Sequence, residues 1–119
     1  MMVSPPELTQ AAFLTSLVTQ FPSLASEVFD EDYEGLIHLQ VSCLTRYANA
    51  CFATARLDEL ARVIRFFEST VERVDSSTEN ALYVSFLEHL ELEGETEKAR
   101  KAPQLLPPHY RQIWQTLRA

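Results

Sequence analysis

A chain of 119 residues with 46% hydrophobic and 23% charged residues has the size and composition of one soluble globular domain, not of a disordered chain. Its two glycines are too few for a glycine-rich phosphate loop or a sheet of tight hairpins, so helices are favoured. The formal charge of −7 argues against a nucleic-acid partner, because phosphate binding needs Lys and Arg clustered over one face.

That charge is unevenly spread. All 17 acids lie at or before Glu97, against five arginines in the same stretch, a local balance of −12. From Lys98 onward there are five basic residues and no acid. Cations beside an acidic body soften its self-repulsion. Cys43 and Cys51 are the two cysteines. On one helix they stand about 12 Å apart along the axis, too far for a disulfide, and free thiols suit a reducing compartment. The opening MMVSPPELTQ has no basic region followed by an apolar run, and no apolar stretch reaches membrane-spanning length. The expectation is a cytoplasmic protein with no membrane partner.

In chain order, SPPE at 4–7 reads as a helix start, with Ser4 capping, Pro5 in the first turn and Glu7 closing a capping box. Ala11, Leu14, Val18 and Phe21 follow at helical spacing, and FPS at 21–23 breaks the run. After an acidic loop, Leu36 to Ala53 reads as a second helix. Its apolar residues cover most of the circumference and leave His38, Ser42, Thr45 and Asn49 as a narrow polar strip, the mark of a central helix packed on several sides. A third helix spans Asp58 to Val74, with Leu60, Val63, Ile64, Phe67, Val71 and Val74 on one stripe and an Asp58–Arg62 pair on the wet face. Phe66 lies off that stripe. It either meets another helix or stays exposed for a partner.

DSSTENALYVSFLEHLELEG supplies a fourth helix, with a Ser76–Glu79 capping box and Gly94 as its stop. Leu82, Tyr83, Phe86, Leu87 and Leu90 form its buried stripe, while Ser85, Glu88 and Glu91 face away. Glutamates at 91, 93, 95 and 97 alternate across that glycine, too briefly for a strand. Glu91 and Glu93 then fall on the last helical turn, where acids oppose the macrodipole. A short helical piece follows around Thr96–Ala102. Pro107 and Pro108 open a final helix carrying Tyr110, Ile113, Trp114 and Leu117 on one stripe. The expected fold is all-α, a single-domain compact bundle of about five helices over residues 1–119.

Few residues suggest catalysis. DEDYEG at 30–35 matches the first half of an EF-hand loop, but the position of the bidentate Glu falls on Val41. The alternative is an acidic loop preceding a helix. His38, His89 and His109 are far apart, and neither cysteine has a partner at CxxC spacing. His38 and Cys43 diverge on their helix, and both thiols read as small core residues. The expectation is a non-enzyme with no metal or cofactor.

What remains is a surface. Residues 27–34 and 88–97 hold five carboxylates each, which favour a basic partner if they converge and otherwise serve solubility. The candidate partner-binding residues are Asp30, Glu31, Asp32, Tyr33, Glu34, Phe66, Glu88, Glu91, Glu93, Glu95 and Glu97, with Phe66 and Tyr33 as aromatic anchors.

Phe67 and Glu68, Asn80, Ser85 to Leu90, and Leu106, Pro107 and Trp114 together form a pattern. It resembles a family of small helical bacterial domains of unknown function over roughly the C-terminal half to two-thirds of the chain. Small acidic domains of this kind also resemble the immunity proteins of bacterial polymorphic toxin systems. That resemblance implies a stoichiometric inhibitor that covers a toxin's active site or substrate groove. The acidic surface suits a toxin with a basic cleft. The competing expectation is a helical adaptor or chaperone-like module with an apolar groove.

Overall fold

The structure is a computed structural model and describes residues 7–118. The expected cap at Ser4 lies outside the described residues. The first helix, α1 (Gln10–Gln20), is capped instead by Thr9, whose Oγ1 accepts from the Ala12 N–H at 3.1 Å. It buries Phe13, Leu14 and Leu17, while Ala11 faces solvent. The buried face has rotated from the expected stripe toward the larger apolar side chains. Pro22 ends the run as expected and opens a 3₁₀ turn that continues into α2 (Ala25–Val28).

Helix α3 (Ile37–Ala53) is the central element. It packs against α2, against α4 (Leu57–Thr70), and against α5 (Ser76–Ala81) with its continuation. Between α3 and α4 the chain turns through a Schellman motif, in which Ala55 N–H bonds Phe52 O and Arg56 N–H bonds Cys51 O. Ala55 takes the left-handed conformation, φ 58°, that glycine ordinarily supplies there. Helix α4 stops at Thr70, earlier than expected, because the Arg73 N–H turns to Thr70 O and closes a tighter turn. Val74 is thereby left to bridge to Leu8. Arg62 pairs with Glu59 at 2.7 Å, not with Asp58, and its guanidinium lies over the Phe21 ring.

Helix α5 is capped by Asp75, which accepts from the Thr78 N–H at 2.9 Å, one residue before the expected Ser76. Asp is as good a cap and adds its charge at the helix N-terminus. The chain continues as a π-helical turn (Leu82–Phe86) and a 3₁₀ turn (Leu87–His89), then becomes extended at Leu90. The helical path therefore ends before Glu91 and Glu93, which do not lie on a last helical turn. Gly94 lies beyond it and, at φ 141°, directs the chain toward α6 (Glu97–Lys101). A 3₁₀ turn and the proline step lead to α7 (Pro108–Arg118).

Seven α-helices are thus present among the described residues, against about five expected. The short α2 was not expected, whereas α6 matches the short helical piece expected around Thr96–Ala102. No strand is present among the described residues, and the all-α expectation holds. One hydrophobic core takes side chains from every helix. None of these helices is long and apolar enough to cross a membrane.

Phe66 and Phe67 show why α4 needs more than one buried face. Phe66 meets Phe13 and Phe21, with ring centroids 5.6 and 5.8 Å away, whereas Phe67 stacks on Phe86 at 5.3 Å and meets the edge of Tyr110 at 5.0 Å. Consecutive helical residues point about 100° apart. The pair therefore joins the N-terminal helices on one side to the C-terminal ones on the other. Phe66 is 1% exposed, so it is a core residue and not a partner anchor.

Candidate functional site

The first acidic stretch is built by local bonds. Asp30 caps its own 3₁₀ turn (Glu31–Tyr33), with Oδ1 accepting from the Asp32 N–H at 2.8 Å. Gly35 then takes φ 76° and redirects the chain into α3. Val41, at the twelfth position of the EF-hand pattern, is fully buried in α3. No group of three or more His, Cys, Asp or Glu gathers in metal-binding geometry among the described residues. Tyr33 is half-buried against the core.

Three large apolar side chains between residues 29 and 39 stand in solvent: Phe29 at 53%, Leu36 at 49% and Leu39 at 42% exposure. Phe29, Asp30, Glu31, Glu34 and Gln40 line a hollow of about 320 Å³. Gln40 is 3% exposed; its Nε2 donates to Val28 O at 3.2 Å, and its Oε1 has no hydrogen-bond partner.

The second acidic stretch is arranged differently. Leu90 and Leu92 are fully buried while Glu91 and Glu93 are exposed. An extended chain sends successive side chains to opposite sides, so the alternation is that of a covered, extended segment without a ladder. Helix α7 holds it in place: Trp114 Nε1 donates to Leu90 O at 3.0 Å, and Arg118 donates to Glu88 O at 2.9 Å and to Glu93 Oε2 at 2.7 Å. Glu97 pairs with Lys101 at 3.1 Å. Two cations of the basic tail, Lys101 and Arg118, therefore lie against the second stretch.

Arg46 stands between the two stretches. It binds Glu27 at 2.6 Å and, with Glu91, lines a separate groove of about 300 Å³. Asp30, Glu31 and Glu34 come together in one hollow, whereas Glu91 and Glu93 line two others.

A family model described as a domain of unknown function, DUF7674, matches residues 14–119. The chain belongs to the DUF7674 family. No curated protein and no solved structure matches it. In this DUF7674 chain, the residues that carry the resemblance are mostly packing residues: Phe67, Phe86, Leu87, Leu90, Leu106 and Trp114 are all buried. The match covers more of the chain than those motifs do.

Thr45 and Asn49 of the polar strip of α3 engage the protein backbone, while Ser42 is half-buried and His38 is exposed. Thr45 Oγ1 donates to Ser85 O at 2.7 Å, and Asn49 clamps the next turn, donating to His89 O at 3.0 Å and accepting from the Glu91 N–H at 2.9 Å. Ser85 therefore turns toward α3 instead of facing away. The π turn is where the backbone meets these side chains, and π turns recur at sites of local irregularity.

His38 Nδ1 lies 2.7 Å from Ser85 Oγ, the geometry of a base beside a hydroxyl. Among the described residues, His38 has no hydrogen bond to a carboxylate that would orient it. His38 itself is exposed. Burial pushes the Cys43 and Cys51 thiols up, with Glu27 adding to the effect at Cys43, so both favour the unreactive thiol form. Glu59 accepts from the Tyr47 hydroxyl, which holds its carboxyl below the usual range and raises Tyr47; Arg62 lowers Glu59 further.

The sequence reading missed Phe29, Leu36, Leu39 and Gln40. One signal was present: Gln40 lies between Ile37 and Leu44 at helical spacing, a polar side chain on the buried face. Nothing in the local spacing sets Phe29, Leu36 and Leu39 apart from buried apolar residues. Their exposure depends on where α2 and the acidic loop leave α3 uncovered.

Proposed function

We propose that this DUF7674 chain is a non-enzymatic binding protein that neutralises a basic toxin by direct contact through its first acidic face. The observation that carries this reading is the setting of Asp30, Glu31 and Glu34: they line one hollow with Phe29, which is 53% exposed. Binding centres combine an aromatic or aliphatic anchor with a charged rim. Carboxylates around such an anchor draw in a basic surface and set its orientation. Phe29 takes the anchoring role first given to Phe66, and the second acidic stretch becomes secondary because cations already lie against it.

The test uses the tagged full chain as bait for toxin partners of its own cell, at about 50 and about 500 mM salt, which differ severalfold in screening length. A basic toxin is expected to bind at low salt and to lose its activity on binding. Joint reversal of Asp30, Glu31 and Glu34 to Lys is expected to weaken that complex tenfold or more, while reversal of Glu91 and Glu95 changes it little. A toxin held equally by all three proteins would sink the proposal. The adaptor reading rests on the same exposed apolar residues together with Val84, and requires salt-indifferent binding lost in Phe29→Ser.

A further inference from the structure

We infer that the hollow beneath Phe29 receives an arginine side chain of the protein partner. This rests on the proposed binding role of the first acidic face and specifies its chemistry. The acidic residues alone do not define a site; Gln40 adds the specific feature. Its Nε2 donates to Val28 O, a group that only accepts, so the amide cannot be turned over without placing two oxygens face to face. The remaining atom, Oε1, is therefore an acceptor. It is closed off from water with no partner, on a residue that lines the hollow. A buried acceptor without a donor is costly, and a ligand that supplies one removes that cost.

The carboxylates of Asp30, Glu31 and Glu34 are acceptors when ionised, and the free atom of Gln40 is an amide oxygen, also an acceptor. The matching ligand is a cationic donor. A metal ion fits poorly, since the carboxylates do not gather in metal-binding geometry and one Asp30 oxygen already holds the Asp32 N–H. Guanidinium fits better than ammonium for two reasons. It is planar and weakly hydrated, so it stacks against a ring such as Phe29, and its five N–H groups reach several acceptors at once. A volume of about 320 Å³ is near the lower limit for ligand sites and suits one side chain more than a cofactor. Phe29, half in solvent, leaves a ring face open to such stacking.

The test is an NMR titration of the isotope-labelled full chain with N-acetyl-arginine amide, N-acetyl-lysine amide and calcium chloride in turn. The arginine compound is expected to move the Gln40 side-chain amide and the backbone amides of 29–35 saturably, binding at least threefold more tightly than the lysine compound. Gln40→Leu is expected to weaken it tenfold. Glu34→Gln, a surface change that leaves the core intact, is expected to weaken it severalfold and keeps the test valid if Gln40→Leu does not fold. Equal responses to lysine and arginine, a tighter response to calcium, or no saturable shift at Gln40 would each overturn the inference. A toxin complex broken by charge reversal would still stand after any of these results. Failure of the hollow is thus separable from failure of the proposed function.

Discussion

Residues 27–34 and 88–97 hold five carboxylates each, yet the fold gives the two stretches different surroundings. The first keeps Asp30, Glu31 and Glu34 around a hollow beside exposed Phe29. The second is stitched to α7 through Trp114 and Arg118, with Lys101 closing on Glu97. A run of acids in a sequence is therefore not yet an acidic face. Its character depends on which cations and apolar groups the chain brings beside it, because exposed pairs retain little net field beyond a Debye length.

The largest break in this comparison is expected from Trp114→Ala. It removes a buried ring and the bond to Leu90 O, so it should cost about 3–5 kcal/mol in denaturant unfolding and free the second stretch from α7. Asn49→Ala removes both bonds that fix His89 and Glu91 beside α3. A loss of about 1–3 kcal/mol is expected, with faster amide exchange in residues 87–92. No change in exchange there would show that burial of Leu90 and Leu92 alone holds the segment.

Glu59 lies outside both stretches and tests whether acid sensitivity belongs to them. Its carboxyl titrates below the usual range, chiefly through Tyr47, so its stabilising contribution is complete above its unfolded value and fades as pH falls through the lower folded one. Glu59→Gln is expected to cost about 1 kcal/mol near neutral pH. The gap from the parent should close as pH falls from about 5 to about 3. A gap that stays constant would assign the bond no role in acid unfolding. The smallest effect is expected from Phe29→Ser, within about 0.5 kcal/mol of the parent, because the ring is half in solvent. A much larger loss would make Phe29 a packing residue and weaken its place at the binding face.

Much of the helical order was legible. Periodicity located α3, α4 and α7 to within a few residues, Pro22 marked the end of α1, and Pro107 and Pro108 marked the start of α7. The stretch from Leu82 to Glu93 was not legible as one straight helix would be. Its apolar spacing suits a helix up to Leu90, but Thr45 and Asn49, some 40 residues away in sequence, engage its backbone. Likewise the binding face was half visible: its acids could be counted, while Phe29 and Gln40 looked like any other residues of their runs.

Local chemistry fixes what depends on neighbours in the chain. Helical spacing, capping side chains and prolines act over three or four residues, so the all-α class and most helix limits follow from the amino acids alone. Tertiary structure alone decided that Phe66 is core, that Thr45 and Asn49 of α3 hold the chain around Ser85 to Glu91, and that one acidic stretch lies against α7 while three acids of the other share a hollow with Phe29. Each of these depends on groups far apart in sequence, whose proximity arises only once the whole core has packed.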